Sequence, residues 1–153
     1  MNMLQPHPKI TPRHLQRKAM VYLRQSSDRQ VQRNTESQRL QYNLAARAQA
    51  LGFAQVEILD TDLGHSAAIG AARREGFERL IAAVAVGEVG LILCLEASRL
   101  SRTDQDWCRL LELCPLFDTL IADADTVYDV STLDDQLVLG IKATMSVAEL
   151  KVL

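Results

Sequence analysis

Three short, mostly apolar runs, Ala19 to Leu23, Val56 to Leu59 and Val89 to Leu95, each closed by polar or charged residues, constrain this chain more than any other feature. Runs of that length suit strands buried on both faces. Helical patterns lie between them. Thr35 followed by Gln38 has the spacing of a capping box; Leu40, Leu44, Ala45, Ala48 and Leu51 then recur at helical intervals, and Gly52 supplies a stop. A second helix is expected from about Gly76 to Val86, with Phe77, Leu80, Ile81 and Val84 inward. A third begins near Thr103, where Thr103 and Asp106 repeat the box, and ends before Pro115. With a further apolar stretch at Leu120 to Ala122, this alternation predicts an α/β fold, a mainly parallel sheet flanked by helices.

The 153 residues, 48% apolar and 24% charged, fit one domain with a sizeable core. No apolar run reaches the roughly 20 residues of a membrane span, and the N-terminus lacks the apolar centre of a secretory signal, so a soluble protein of the cytoplasm is expected. Cys94, Cys108 and Cys114 sit among apolar residues as buried thiols would, and His7, His14 and His65 are too scattered for a zinc set. Neither a metal nor a cofactor is expected. Net charge is −2, but it is unevenly spread: the seven acids between Glu112 and Asp135 meet no Lys or Arg, whereas Arg24, Arg29, Arg33, Arg39, Arg73, Arg74, Arg99 and Arg102 all come earlier. One face is therefore suited to phosphates while another repels them.

Three segments are expected. Residues 1–17 read as a flexible basic arm, either touching DNA electrostatically or a disordered leader; residues 18–130 carry the domain; residues 131–153 form a final helix. In that helix, from Ser131 on, Leu133, Leu137, Ile141, Met145, Ala148 and Val152 make one apolar face, and Val138, Leu139, Val147 and Leu150 a second. Two faces exceed what packing on one domain needs, so a partner chain is expected, with full burial of the helix as the alternative. The helix reaches Leu153 without a capping signal and reads as cut mid-course.

Ligands of parallel sheets bind beyond the carboxyl ends of the strands. After the first strand comes Arg24-Gln25-Ser26-Ser27, and alternation puts Arg24 and Ser26 on one side and Ser27 on the other. After the third comes Ser98-Arg99-Leu100-Ser101-Arg102, where Arg99 and Arg102 share a face if helical. Arg74 is placed in the polar loop after the second strand. Several guanidinium forks around one hydroxyl suit phosphoryl transfer, because the transition state gains negative charge on phosphate oxygens. Acyl transfer would call for a histidine base and a nucleophile elbow; His65 is the only histidine near, and no G-x-S-x-G occurs. Each of these residues also has a bland role available. A single Arg is usually solvated, Ser26 or Ser27 can cap a turn, and Gln38 can serve the capping box alone.

Taken in order, Tyr22-x-Arg24-x-Ser26, Glu36-Ser37-Gln38, Asp62-x-Gly64-x-Ser66, Arg74-x-Gly76-Phe77, Ser98-Arg99-Leu100-Ser101-Arg102 and Leu139-Gly140-Ile141-Lys142-Ala143-Thr144-Met145-Ser146 resemble the resolvase/invertase catalytic domain of serine site-specific recombinases, and within it the large serine recombinase group. The resemblance covers roughly Ala19 to Leu153. It implies a resolvase-like sheet that ends in the start of a long dimerisation helix, with DNA-recognition domains beyond it. It further implies that Ser26 attacks a DNA phosphodiester to give a 5′-phosphoserine and a free 3′-hydroxyl, followed by strand exchange and resealing without ATP. Arg24, Arg74, Arg99, Arg102 and Gln38 match the family's site residues. The implied partners are double-stranded DNA and copies of the chain itself, a homodimer becoming a tetramer at synapsis.

There are departures. Ser98 stands where smaller resolvases carry Asp, Gln25 where a small apolar residue is common, and His65 and Ala67-Ala68 replace parts of a Gly- and Ser-rich loop. Asp60, Asp62 and Glu96 therefore stay open as contributors to the site. Two other readings compete: a flavodoxin-like module binding a phosphorylated ligand without covalent chemistry, and a non-catalytic relative that only dimerises.

Overall fold

The computed structural model describes residues 7–22, 34–59, 70–94, 104–124 and 126–141. Its elements are α1 (Pro12–Leu15), β1 (Lys18–Tyr22), α2 (Asn34–Ala50), β2 (Val56–Leu59), α3 (Gly70–Ala85), β3 (Val89–Leu93), α4 (Asp104–Leu116), β4 (Leu120–Ala122) and β5 (Val127–Tyr128), then a helix at 133–141, here α5. The strands form one sheet in the order β2-β1-β3-β4-β5. β1 pairs parallel with β2 and β3, β3 parallel with β4, and β5 closes the edge antiparallel to β4. This is the mostly parallel α/β sheet flanked by helices that the alternating pattern predicts.

Strand alternation divides the core in two. Met20, Tyr22, Ile92, Ile121 and Tyr128 face α3, α4 and Leu139, packing on Phe77, Leu80, Ile81, Val84, Leu110 and Cys114. On the opposite face Ala19, Val21, Leu91, Leu93, Leu120, Ala122 and Val127 meet Leu44 and Ala48 of α2 together with Ile10 and Phe53. Each fully buried Leu, Ile or Val adds roughly 1.5–3 kcal/mol, and β1 and β3 are covered on both sides, so the sheet centre is the most strongly held part.

Several boundaries differ from expectation. From residue 7 onward the stretch read as a flexible arm is packed against the body: Ile10 and His14 are buried, and Thr11 and His14 cap the short α1 reciprocally. Periodicity missed this because a four-residue helix has no period to show. α2 begins at Asn34, so Thr35 lies inside the helix and is not its cap. α3 begins at Gly70, six residues before the expected start, which puts Arg74 on a helix and not in a loop. α4 runs through Pro115 to Leu116, because a proline in the last turn costs one hydrogen bond in a helix about to end. Cys94 and Cys114 are buried as expected, but Cys108 is exposed, two residues and so roughly half a turn of the helix from the inward Leu110. β5 was not anticipated; two residues are too few to alternate. In α5, Leu139 is fully buried while Leu133, Leu137, Val138 and Ile141 are 68%, 55%, 43% and 58% exposed, so its described part does carry apolar residues on two sides. Residues 142–153 lie outside the described ones. No helix among the described residues is long and apolar enough to cross a membrane.

Candidate active site

Because β2, β1 and β3 are parallel neighbours, their carboxyl ends open on one edge. The register is close: Tyr22 stands beside Leu59, Val21 beside Leu93, and Leu93 beside Ala122. From Tyr22 the chain passes into the segment holding Arg24 and Ser26, from Leu59 into that of Asp60 and Asp62, and from Leu93 through Cys94 into that of Glu96, Arg99 and Arg102. These candidates lie outside the described residues. Their shared origin at one edge does not depend on their own placement.

Gln38 and Arg74 are described as backbone positions, each the fifth residue of its helix. Phe77 packs edge-to-face on Tyr22 with ring centroids 6.1 Å apart, which sets α3 level with the carboxyl end of β1 at that residue. Arg74, three residues earlier and about 4.5 Å along the axis, therefore stands beside the point where β1 gives way to the Ser26 segment. On the other face, Arg47 Nε donates to the Asp123 carbonyl just past β4 at 3.0 Å. Gln38 precedes Arg47 by nine residues, about 13 Å of helix, so it lies beyond the carboxyl edge. The two residues thus flank that edge from opposite faces of the sheet.

Beneath the edge the described residues of the sheet are apolar and buried. Tyr22, Leu59, Phe77 and Cys94 are buried, and the Cys94 thiol is 3.5 Å from the Ala122 carbonyl that accepts from it. Sequence reasoning passed over Asp123, grouping it with the repelling acids. It is 94% buried at the same edge, where Oδ1 accepts from the Thr126 amide at 2.8 Å and Oδ2 from the Tyr128 hydroxyl at 3.2 Å, closing the β4–β5 turn. An Asp three residues ahead of a Thr is a turn signal that could have exposed this role.

Residues 19–153 match the family model described as Resolvase, N terminal domain. The chain belongs to the resolvase family. The family match thus begins one residue into β1, and residues 7–18 precede it. The uncharacterized protein y4bA/y4pH of Sinorhizobium fredii (strain NBRC 101917 / NGR234) is 50% identical over 147 residues, which takes in 95% of this chain and 21% of that protein. The chain spans about a fifth of that relative's length, and the matched stretch is longer than the resolvase domain alone. Among solved structures, the N-terminal catalytic domain of TP901-1 integrase is 24% identical with a TM-score of 0.59, covering 89% of this chain and 98% of its own. A resolvase family site-specific recombinase from Streptococcus pneumoniae is 17% identical with a TM-score of 0.62, covering 89% and 91%. The C-terminal catalytic domain of ISC1926 TnpA, an IS607-like serine recombinase, is 19% identical with a TM-score of 0.52, covering 84% and 99%. At these identities the likeness concerns the fold, a resolvase-type sheet and its helices.

Proposed function

We propose that this chain is the DNA-cutting domain of a serine site-specific recombinase and that Ser26 is its nucleophile. The Ser26 hydroxyl oxygen attacks a DNA phosphorus, the bond from phosphorus to the 3′-oxygen breaks, and that oxygen leaves with a proton as a free 3′-hydroxyl. The 5′-phosphate stays on Ser26 as an ester. Attack by the 3′-hydroxyl of an exchanged strand reverses the step, so resealing needs no ATP. Arg24, Arg74, Arg99 and Arg102 hold the scissile phosphate and stabilise the charge gained in its transition state, and Gln38 orients it by hydrogen bonding. Residues 18–130 are the catalytic body. Residues 131–153 begin the helix that pairs two copies, which become four at synapsis on double-stranded DNA in the cytoplasm.

The observation that carries this reading is the parallel order β2-β1-β3, which sends the segments of Ser26 and of the arginines away from one edge. The test uses the full-length protein and a nicked suicide duplex bearing its recombination site, so that the cleaved flank diffuses away and the adduct persists. Mass spectrometry is expected to find a 5′-phosphate ester on Ser26. Ser26→Ala should abolish it, Ser27→Ala should retain it, and Arg74→Ala or Arg99→Ala should slow its formation on the order of 10²-fold or more. Attachment at any other residue would sink the mechanism.

A further inference from the structure

Ahead of the resolvase domain, residues 7–17 lie along the sheet face that α2 also covers. Ile10 packs in the same cluster as Leu44 and Val127. At the amino edge the segment is fixed firmly: Arg17 donates to the carbonyls of Val89 at 2.9 Å, Phe117 at 2.6 Å and Asp118 at 2.7 Å, and His14 Nε2 lies 3.1 Å from Asp118 Oδ1. At its other end it meets a different part of the molecule. Lys9 Nζ donates to the Val127 carbonyl of β5 at 2.8 Å and pairs with Asp135 Oδ2 at 2.9 Å.

Asp135 stands in the first turn of α5, and its carboxylate does two things at once. It accepts the Asp129 amide at 2.7 Å, while its own amide faces Thr132 Oγ1 at 3.3 Å. Those contacts, and the Gln136 Nε2 bond to the Val130 carbonyl at 2.6 Å, are local in sequence and hold the start of the helix to its own connection. Leu139 buries against the body without directional preference. Lys9 differs: it comes from the opposite end of the chain and joins the N-terminal segment, the edge strand and the helix start through one ammonium group.

We propose that residues 7–17 are a strap that sets how the first turn of α5 docks on the catalytic body, with Lys9 as the positioning residue. The strap is rigid at Arg17 and His14, so the ammonium is held at a fixed place over β5, and Asp135 with its helix is held against it. Leu133, Leu137 and Ile141, four residues apart along α5, form the exposed stripe whose direction this docking fixes. The recombinase reading assigns that stripe to a second copy, and only this consequence rests on that reading. The docking itself does not.

The experiment follows backbone hydrogen exchange in the full-length protein carrying Lys9→Met or Lys9→Arg. The Lys9 side chain is 36% exposed, so neither change threatens folding. In Lys9→Met the amides of 129–139 should exchange about three- to tenfold faster, with those of β1 and β3 unchanged, and Lys9→Arg should restore protection. By sedimentation, the Lys9→Met dimer should dissociate at a severalfold higher concentration. Unchanged exchange at 129–139, or acceleration spread equally over β1 and β3, would overturn the strap. Faster exchange at 129–139 with an unaltered dimer would overturn its part in presenting the stripe. Absence of a Ser26 adduct in the wild-type protein would instead defeat the recombinase reading while leaving the exchange result standing.

Discussion

Gly90 of β3 shows how tightly single positions are specified. A Cβ built there overlaps the His14 carbonyl, a backbone atom that the buried His14 side chain and Arg17 hold in place. Gly90→Ala should therefore cost about 1–3 kcal/mol, read as a lower urea midpoint with an unchanged slope. His14 is the partner in that contact. Its Nδ1 accepts the Thr11 amide at 2.9 Å, which leaves the ring proton on Nε2 to bond Asp118. Asp118 turns the chain into β4 with a φ of +54°, a region that Asp tolerates better than most residues. The thiols separate by burial as well. Burial pushes Cys114 up to about 12, while Cys108 is exposed, so alkylation at pH 8 should modify Cys108 in the native protein and reach Cys114 only on unfolding. Peptide mapping checks the order.

α5 combines a strong local start with a divided apolar surface. Thr132 and Asp135 have capping-box spacing, with Thr132 Oγ1 also donating to the Asp129 carbonyl at 2.9 Å. Inside the helix, Leu139 is buried while Leu137, two residues earlier, is 55% exposed. Leu139→Ala should cost about 2–4 kcal/mol in chemical denaturation, and Leu137→Ala less than about 1 kcal/mol at concentrations where the protein is monomeric. Equal losses would mean that α5 sits differently on the body. Among the described strands β2 is an edge, and charge guards it: Glu57 accepts from Lys18 Nζ at 2.7 Å and from Arg79 Nε at 2.9 Å.

Across the whole molecule, these ion pairs set a response to acid. The hydrogen bond from Lys18 holds the Glu57 carboxyl below its ordinary value of 4.5, burial opposing and Arg79 assisting. Burial alone would raise Asp135, but the Asp129 amide, Lys9 and Thr132 together bring it below its ordinary 3.8. Folded values below unfolded ones mean that the stabilisation is complete above about pH 4.5 and is lost as pH falls through the lower folded values. His7 acts in an earlier window. Burial, then Lys9 and Arg47, lower it from 6.5, so its neutral form is favoured in the fold and stability begins to decline as pH drops below that value. Urea midpoints should fall slightly below pH 6.5 and more steeply below about 4.5. Glu57→Gln should flatten the lower step, and His7→Gln the upper one.

The sheet and the positions of its helices were legible because burial on both faces demands unbroken apolar runs, and helix packing demands a repeat of three or four; Val89 to Leu93, Leu120 to Ala122 and the inward residues of α3 follow from those demands, whereas Val56 to Leu59, expected to be buried on both faces, is a partly exposed edge strand. The common edge at which β1, β2 and β3 end was likewise legible, since parallel strands finish on the same side of the sheet. What stayed hidden has no period. α1 is one turn, β5 is two residues, and Lys9 acts through partners far away in sequence. By itself the sequence determined the sheet, its carboxyl edge and the residues that leave it, because those depend on patterns along the chain. Only the tertiary structure decided that the N-terminal segment is packed, that Arg74 sits on a helix beside β1, and that Lys9 reaches Asp135. Such relations join parts of the chain far apart in sequence, Lys9 and Asp135 by more than a hundred residues, and no local preference records them.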